Sequence, residues 1–123
     1  MENNKTILIC DDDYTFLNQM ERELSARGYD VDTIDNAGDL VPSAIRLRPN
    51  IILANPEMNA FNEYDVCKHI IKEQRVQIIL VLNKHSSRRA QIGDCQVEDV
   101  LVKPINTDNL VNLLAKHIAV DQQ

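Results

Sequence analysis

The sequence predicts an α/β domain of doubly wound (βα)₅ type, a five-stranded parallel sheet with helices on both faces, and three observations lead there. Apolar runs of strand length alternate with segments of helical period along the whole chain. Several of the runs are continuously apolar, as strands covered on both faces must be. The chain has 123 residues, one domain's length, enough to bury about two thirds of its unfolded surface. Residues 1–123 are therefore expected to form a single domain with its core at about 5–119. Hydrophobic residues make up 44% and charged residues 26%, which excludes disordered, collagenous and coiled-coil classes. With only 3 Gly and 4 Pro, loops should be short.

Thr6-Ile-Leu-Ile-Cys10 is the first strand, ending at three consecutive acids. Leu17, Met20 and Leu24 share one helical face between Tyr14 and Arg27, and Gly28 stands where a left-handed cap is wanted. A more polar second strand spans Asp30 to Ile34. A short helix follows from Asp39 to Leu47, with Leu40, Ala44 and Leu47 on one side, and it must stop before Pro49. Asn50 to Ala54 is the third strand. A third helix from about Phe61 to Glu73 buries Val66, Cys67, Ile70 and Ile71. Val76 to Leu82 is the most apolar strand and belongs at the centre of the sheet. Ser86 to Ile92 is expected to be a fourth helix and Asp99 to Val102 the fifth strand. Asn106 or Thr107 caps a last helix with Leu110, Leu113, Leu114 and His117 on its inner stripe.

Charge and composition exclude several functions. The net charge of −6 and pI near 4.9 oppose binding to a phosphate backbone, and the basic pairs Arg46/Arg48 and Arg88/Arg89 read as solvated surface, so no nucleic-acid partner is expected. No apolar run reaches the roughly 18 residues that span a bilayer, and the polar start lacks signal-peptide character. No membrane association and a cytoplasmic location are expected. Cys10, Cys67 and Cys95 are far apart and form no CxxC, which reads as reduced, mostly buried thiols. His69, His85 and His117 show no metal-ligand spacing.

In a doubly wound sheet the site lies at the carboxyl ends of the strands. Asp11, Asp12 and Asp13 follow the first strand, Asn55 the third, Leu82 and Asn83 end the fourth, and Lys103-Pro104 follows the fifth. Oxygen ligands with open positions suit a hard cation such as Mg²⁺, and a fixed ammonium would neutralise a phosphoryl group beside it. The same acids could instead cap the first helix.

Lys5-Thr-Ile-Leu-Ile-Cys-Asp-Asp-Asp13, Pro49-Asn-Ile-Ile-Leu-Ala-Asn55 and Val100-Leu-Val-Lys-Pro104, in this order and spacing, resemble the receiver domain of two-component response regulators over about residues 5–119. The resemblance implies the flavodoxin-like receiver fold. It also implies a pocket in which an aspartate accepts a phosphoryl group from a histidine kinase with Mg²⁺ in attendance. That acceptor position is Asn55 here. Asp11 and Asp12 match the metal-site acids and Lys103 the phosphate-contacting lysine. The hydroxyl that ends the fourth strand is replaced by Leu82, or by Asn83 if the alignment slips by one, and the switching aromatic is replaced by Val100. The Pro-Gly after the third-loop methionine is Asn59-Ala60 following Met58, and the later glycine of that loop is Glu63.

A neutral amide is a poor nucleophile and brings no charge to a metal. The expected function is therefore a degenerate receiver, or pseudo-receiver: a non-enzymatic, phosphorylation-independent protein-interaction module in signal transduction. No cofactor is required, and a weak Mg²⁺ site on Asp11 and Asp12 is conceivable. Lys103 could equally persist to offset the repulsion of Asp11 and Asp12, and Glu57 could either enter the pocket or stay solvated. In the family the usual partner face is the fourth helix, fifth strand and fifth helix, roughly residues 86–119, and with no output domain after the last helix any effect is expected to pass to another protein. Two other functions compete. One is a phosphorelay receiver in which Asp11, Asp12, Asp13 or Glu57 takes the phosphoryl group. The other is a small flavin- or nucleotide-binding protein, which Asp11-Asp-Asp13 disfavours because its charge would repel phosphate.

Overall fold

The computed structural model describes residues 5–86 and 88–118. Five strands form one parallel sheet: β1 (Thr6–Cys10), β2 (Asp30–Ile34), β3 (Ile51–Ala54), β4 (Gln77–Leu82) and β7 (Asp99–Val102), in the order β2-β1-β3-β4-β7. The reversal of strand order falls between β1 and β3, so the carboxyl ends of these two strands open onto a crevice. The register sets Cys10 beside Ala54 and Leu82 beside Val102, and this levels the strand ends that carry the candidate residues.

Because strand side chains alternate between faces, each apolar strand feeds two cores. Ile7, Ile9, Ile51, Leu53, Ile79 and Val81 pack under α1 (Tyr14–Ser25) and α4 (Thr107–His117). Leu8, Cys10, Ile52, Ala54, Leu80 and Leu82 pack under α2 (Leu40–Leu47) and the third helix. That helix begins as α3 (Glu63–Asp65) and continues as a π-helical stretch, Val66–Lys72. β2 and β7 are the sheet's two edges, and Asp30 and Asp32 of β2 are exposed.

The caps follow from the sequence. Asp13 accepts the Phe16 N–H at the start of α1, and Asn106, the first of the two cap candidates, accepts the Asn109 N–H of α4. Gly28 has φ +94 where α1 turns toward β2. α2 stops at a left-handed Arg48, before Pro49.

Two expectations are corrected. The segment expected to be a fourth helix, Ser86 to Ile92, is not helical among the described residues. It enters a short antiparallel hairpin, β5 (Gln91–Ile92) with β6 (Cys95–Gln96), joined by Gly93-Asp94. Gly93 has φ +59, and glycine first in a two-residue turn is a hairpin signal that outweighs the segment's weak helical period. Of the three cysteines read as thiols, only Cys10 is free; Cys67 and Cys95 form a disulfide. The two stand 28 residues apart in sequence, and only the docking of the hairpin on the third helix brings their Cα atoms to 5.7 Å.

Candidate functional site

The carboxyl edge of the sheet gathers Asp11, Asp13, Asn55, Glu57, Asn83 and Lys103. Asp11 leaves β1 pointing inward and is 1% exposed. Its Oδ1 accepts the Asp13 N–H at 3.0 Å, and its Oδ2 lies 2.9 Å from Lys103 Nζ. Lys103 is carried there by β7, whose chain continues through the Lys103 N–H donated to the Leu82 carbonyl at 2.9 Å. The ammonium also lies 3.6 Å from Asp13 Oδ2 and 4.5 Å from the centre of the Phe16 ring, a cation–π contact. The second acid on Lys103 is thus Asp13, whereas Asp12, the expected partner, is exposed. The two readings of the acidic run hold together: Asp13 caps α1 and Asp11 is a pocket acid.

Asn55 sits at the end of β3 and is also 1% exposed. Its Nδ2 donates to Asn83 Oδ1 at 2.9 Å and reaches toward Asp11 Oδ2 at 3.4 Å, while its Oδ1 accepts the Glu57 N–H at 2.9 Å. All three contacts hold the amide in one orientation.

Glu57 is exposed, and its carboxylate bends back toward the pocket rim. Its Oε1 accepts the Asn83 N–H at 2.9 Å. The Ser86 hydroxyl and then the Asn83 N–H hold its carboxyl below the ordinary range. The loop after β3 is thereby tied to the loop after β4. At the end of β4, Leu82 is buried in the apolar core with Val100 packed against it, and Asn83 supplies the polar atom facing Asn55. The Asn83–Asn55 bond and the Glu57 tether escaped the sequence reading because they depend on loop paths that no local pattern encodes.

Cys10, under the pocket floor, has its thiol pushed up to about 12 by burial, with Asp11 and Asp12 adding to the effect. The donors near Asn55 are all oxygens, the chemistry of a hard cation. Asp11, however, already engages Lys103 and the Asp13 N–H, and Asn55 Oδ1 is already an acceptor. A Mg²⁺ ion there would compete with an ammonium.

An open parallel α/β sheet with an acid–lysine pair at its switch point defines the class. The sequence profile of the response regulator receiver domain matches residues 7–115, and the chain belongs to that family. The sensory transduction protein BceR of Halalkalibacterium halodurans is 24% identical over 106 residues, covering 85% of this chain and 46% of its own length. The response regulator ArlR of Staphylococcus aureus is 26% identical over 106 residues, covering 85% and 48%. The chain thus spans about half the length of these curated relatives. Among solved structures, the chemotaxis protein CheY4 of Vibrio cholerae matches with a TM-score of 0.77 at 20% identity, covering 92% of this chain and 98% of that one. A receiver domain from Bermanella marisrubri matches at 0.76 and 22%, covering 94% and 98%. The fold is the flavodoxin-like receiver fold. No described helix is long and apolar enough to cross a membrane.

Proposed function

We propose that this chain is a degenerate receiver that works in two-component signalling as a phosphorylation-independent protein-interaction module, not as an enzyme. One observation carries the reading: the residue at the end of β3, where the resemblance puts the phosphoacceptor, is a buried amide held by Asn83, Asp11 and the Glu57 N–H. The amide nitrogen lone pair is delocalised, so Asn55 offers no nucleophile to phosphorus. Lys103, paired with Asp11 at 2.9 Å, serves to neutralise a buried carboxylate.

Leu82 has no hydrogen-bond donor and Val100 has no ring, which favours a pocket whose state is not transmitted outward. Mg²⁺ is not required. It would bind at Asp11 and Asp12 only in the millimolar range, roughly as at oxygen sites of low charge. We place the partner surface on the hairpin β5–β6, β7 and α4, within residues 86–119, of which 87 and 119 lie outside the described residues. Val102 is 43% exposed on this face, beside a depression bounded by Leu101, Pro104, Ile105 and Leu110. A protein partner, a single domain over 1–123, action in the cytoplasm and no role for nucleic acid complete the reading.

The test is intact-mass spectrometry after incubation with a small phosphodonor and Mg²⁺. No added phosphoryl mass is expected. A hydroxylamine-sensitive adduct on Asp11, Asp12, Asp13 or Glu57 would overturn the reading and establish phosphoryl transfer through another pocket acid.

A further inference from the structure

A second cavity opens beside the pocket, between α1 and the chain that leaves β7, and measures about 410 Å³. Neither Asp11 nor Asn55 lines it; Asp13 and Lys103 form the border between the two spaces. Its floor is apolar. Phe16 and Met20, on one face of α1, meet Pro104 and Ile105 across it. Phe16 and Met20 are buried and Ile105 packs against the same core cluster, so both walls are anchored.

The rim is polar. Thr15, Gln19 and Lys84 stand on it, and none of these side chains has a partner among the described residues. Lys103 is already paired with Asp11 and Asp13, which leaves the exposed Lys84 ammonium as the uncompensated charge. The backbone that carries Lys84 is held. The Ser86 N–H donates to the Asn83 carbonyl at 3.1 Å and closes a turn around Lys84 and His85, and Asn83 is itself bonded to Glu57 and Asn55. Small-molecule sites are apolar hollows of about 300–1,000 Å³ with a few polar groups at fixed positions, and this cavity meets that description. A cation on a fixed turn above an apolar floor is preorganised for an anion with an apolar body.

We propose that the cavity is a binding site for a small apolar monocarboxylate. The body of the ligand lies between Phe16, Met20, Pro104 and Ile105, and its carboxylate accepts from Lys84, with Thr15 and Gln19 as further donors. A cationic ligand would meet the unpaired ammonium, and a dianion would set its second charge against Asp13. Because Lys103 borders both spaces, an occupant reaches the pocket without chemistry at Asn55, a form of input open to a receiver whose acceptor is an amide. Binding itself rests on the cavity alone and not on the signalling role.

The probe is 2-naphthoate, compared with uncharged 2-naphthalenemethanol and with acetate, each titrated into the full chain while amide resonances are followed. Saturable binding of 2-naphthoate is expected with a Kd on the order of 1 mM, the affinity its size gives at ordinary ligand efficiency. The shifts should centre on residues 15–20, 84, 103 and 105. The uncharged probe should bind about 2- to 5-fold more weakly, the reach of an exposed charge pair, and acetate should not saturate. Lys84→Gln should weaken 2-naphthoate by the same factor and leave 2-naphthalenemethanol as it was. Gln19→Trp, which lays a ring over the floor, should block both.

Shifts that stay linear to about ten times that concentration, or that centre on other residues, would overturn the proposal. Equal affinity for the charged and uncharged probes would overturn the carboxylate class, as would a Lys84→Gln variant that binds 2-naphthoate unchanged. Saturation by acetate would overturn the role of the floor. If residues 15–20 and 105 shift when the protein alone is concentrated and the probe does not reverse this, the cavity is a contact between copies of the chain and the proposal fails. Should Gln19→Trp not fold, Lys84→Gln, at an exposed position, decides the matter. None of these measurements reads phosphoryl uptake, so their failure and the failure of the receiver reading are distinguishable.

Discussion

Asn55 Nδ2 donates 2.9 Å to Asn83 Oδ1 and points toward Asp11 Oδ2 at 3.4 Å. Asn55→Asp would therefore replace a donor with an acceptor and set a second carboxylate against Asp11, with Lys103 alone to balance both. The expected cost is about 1–3 kcal/mol, the range for leaving buried polar groups unsatisfied. Urea denaturation should show a lower midpoint for this variant and a partial recovery with Mg²⁺, which supplies the missing positive charge. Ala60, where the resemblance sets a glycine, has φ +66, a left-handed conformation that crowds a Cβ. Ala60→Gly should raise stability by about 0.5–1 kcal/mol, the relief of strain exceeding the added unfolded-state entropy. A midpoint that falls would mean the Ala60 methyl contributes packing that outweighs its strain.

The hairpin and the loop before it are fastened by two glutamates with lowered pKa values. Glu63 is held below the ordinary 4.5 by the Gly93 N–H and then the Arg88 guanidinium, Glu57 by the Ser86 hydroxyl and then the Asn83 N–H. A carboxyl whose folded pKa lies below its unfolded one contributes stability that is fully present above the unfolded value and is lost as pH falls through the folded value. The Gly93 and Asn83 amide resonances should therefore titrate with midpoints below 4.5, and the segment should loosen in that window; midpoints at or above 4.5 would contradict the tethers. These contacts also mark the boundary of what the sequence discloses. Thr6–Cys10, Asp30–Ile34 and Asp99–Val102 were legible to the residue, because a strand buried on one or both faces must carry its apolar pattern locally. The hairpin is hard to read from sequence because its segment carries a faint helical period and its turn signal is only the two residues Gly93-Asp94. The disulfide was invisible because nothing local relates Cys67 to Cys95. Within the pocket, Asp11, Asn55 and Lys103 were identifiable from strand ends alone, whereas Asp13 in place of Asp12, and the Glu57 tether, depended on the path of each loop.

Transmission from pocket to surface is a property of the whole molecule, since it needs two global states that the pocket ligand distinguishes. Leu82 and Val100 pack in the same apolar layer and supply neither a hydrogen-bond donor nor a ring to rearrange. Given beryllofluoride and Mg²⁺, the Asn55→Asp variant is expected to shift amides only near residues 11–13, 55–60, 82–84 and 103. Wide shifts across 88–118 would show that a switch survives. The edge strand β2 has a further consequence, for self-association. A parallel sheet leaves a row of backbone donors and acceptors along each open border, a template on which another chain could add itself as a strand. Here the outer border carries the exposed Asp32 at the middle of a five-residue strand, so a second copy approaching in register would bring carboxylate against carboxylate at that point of the seam. The charge that makes β2 the least apolar of the early strands thus opposes the pairing of two copies through this border.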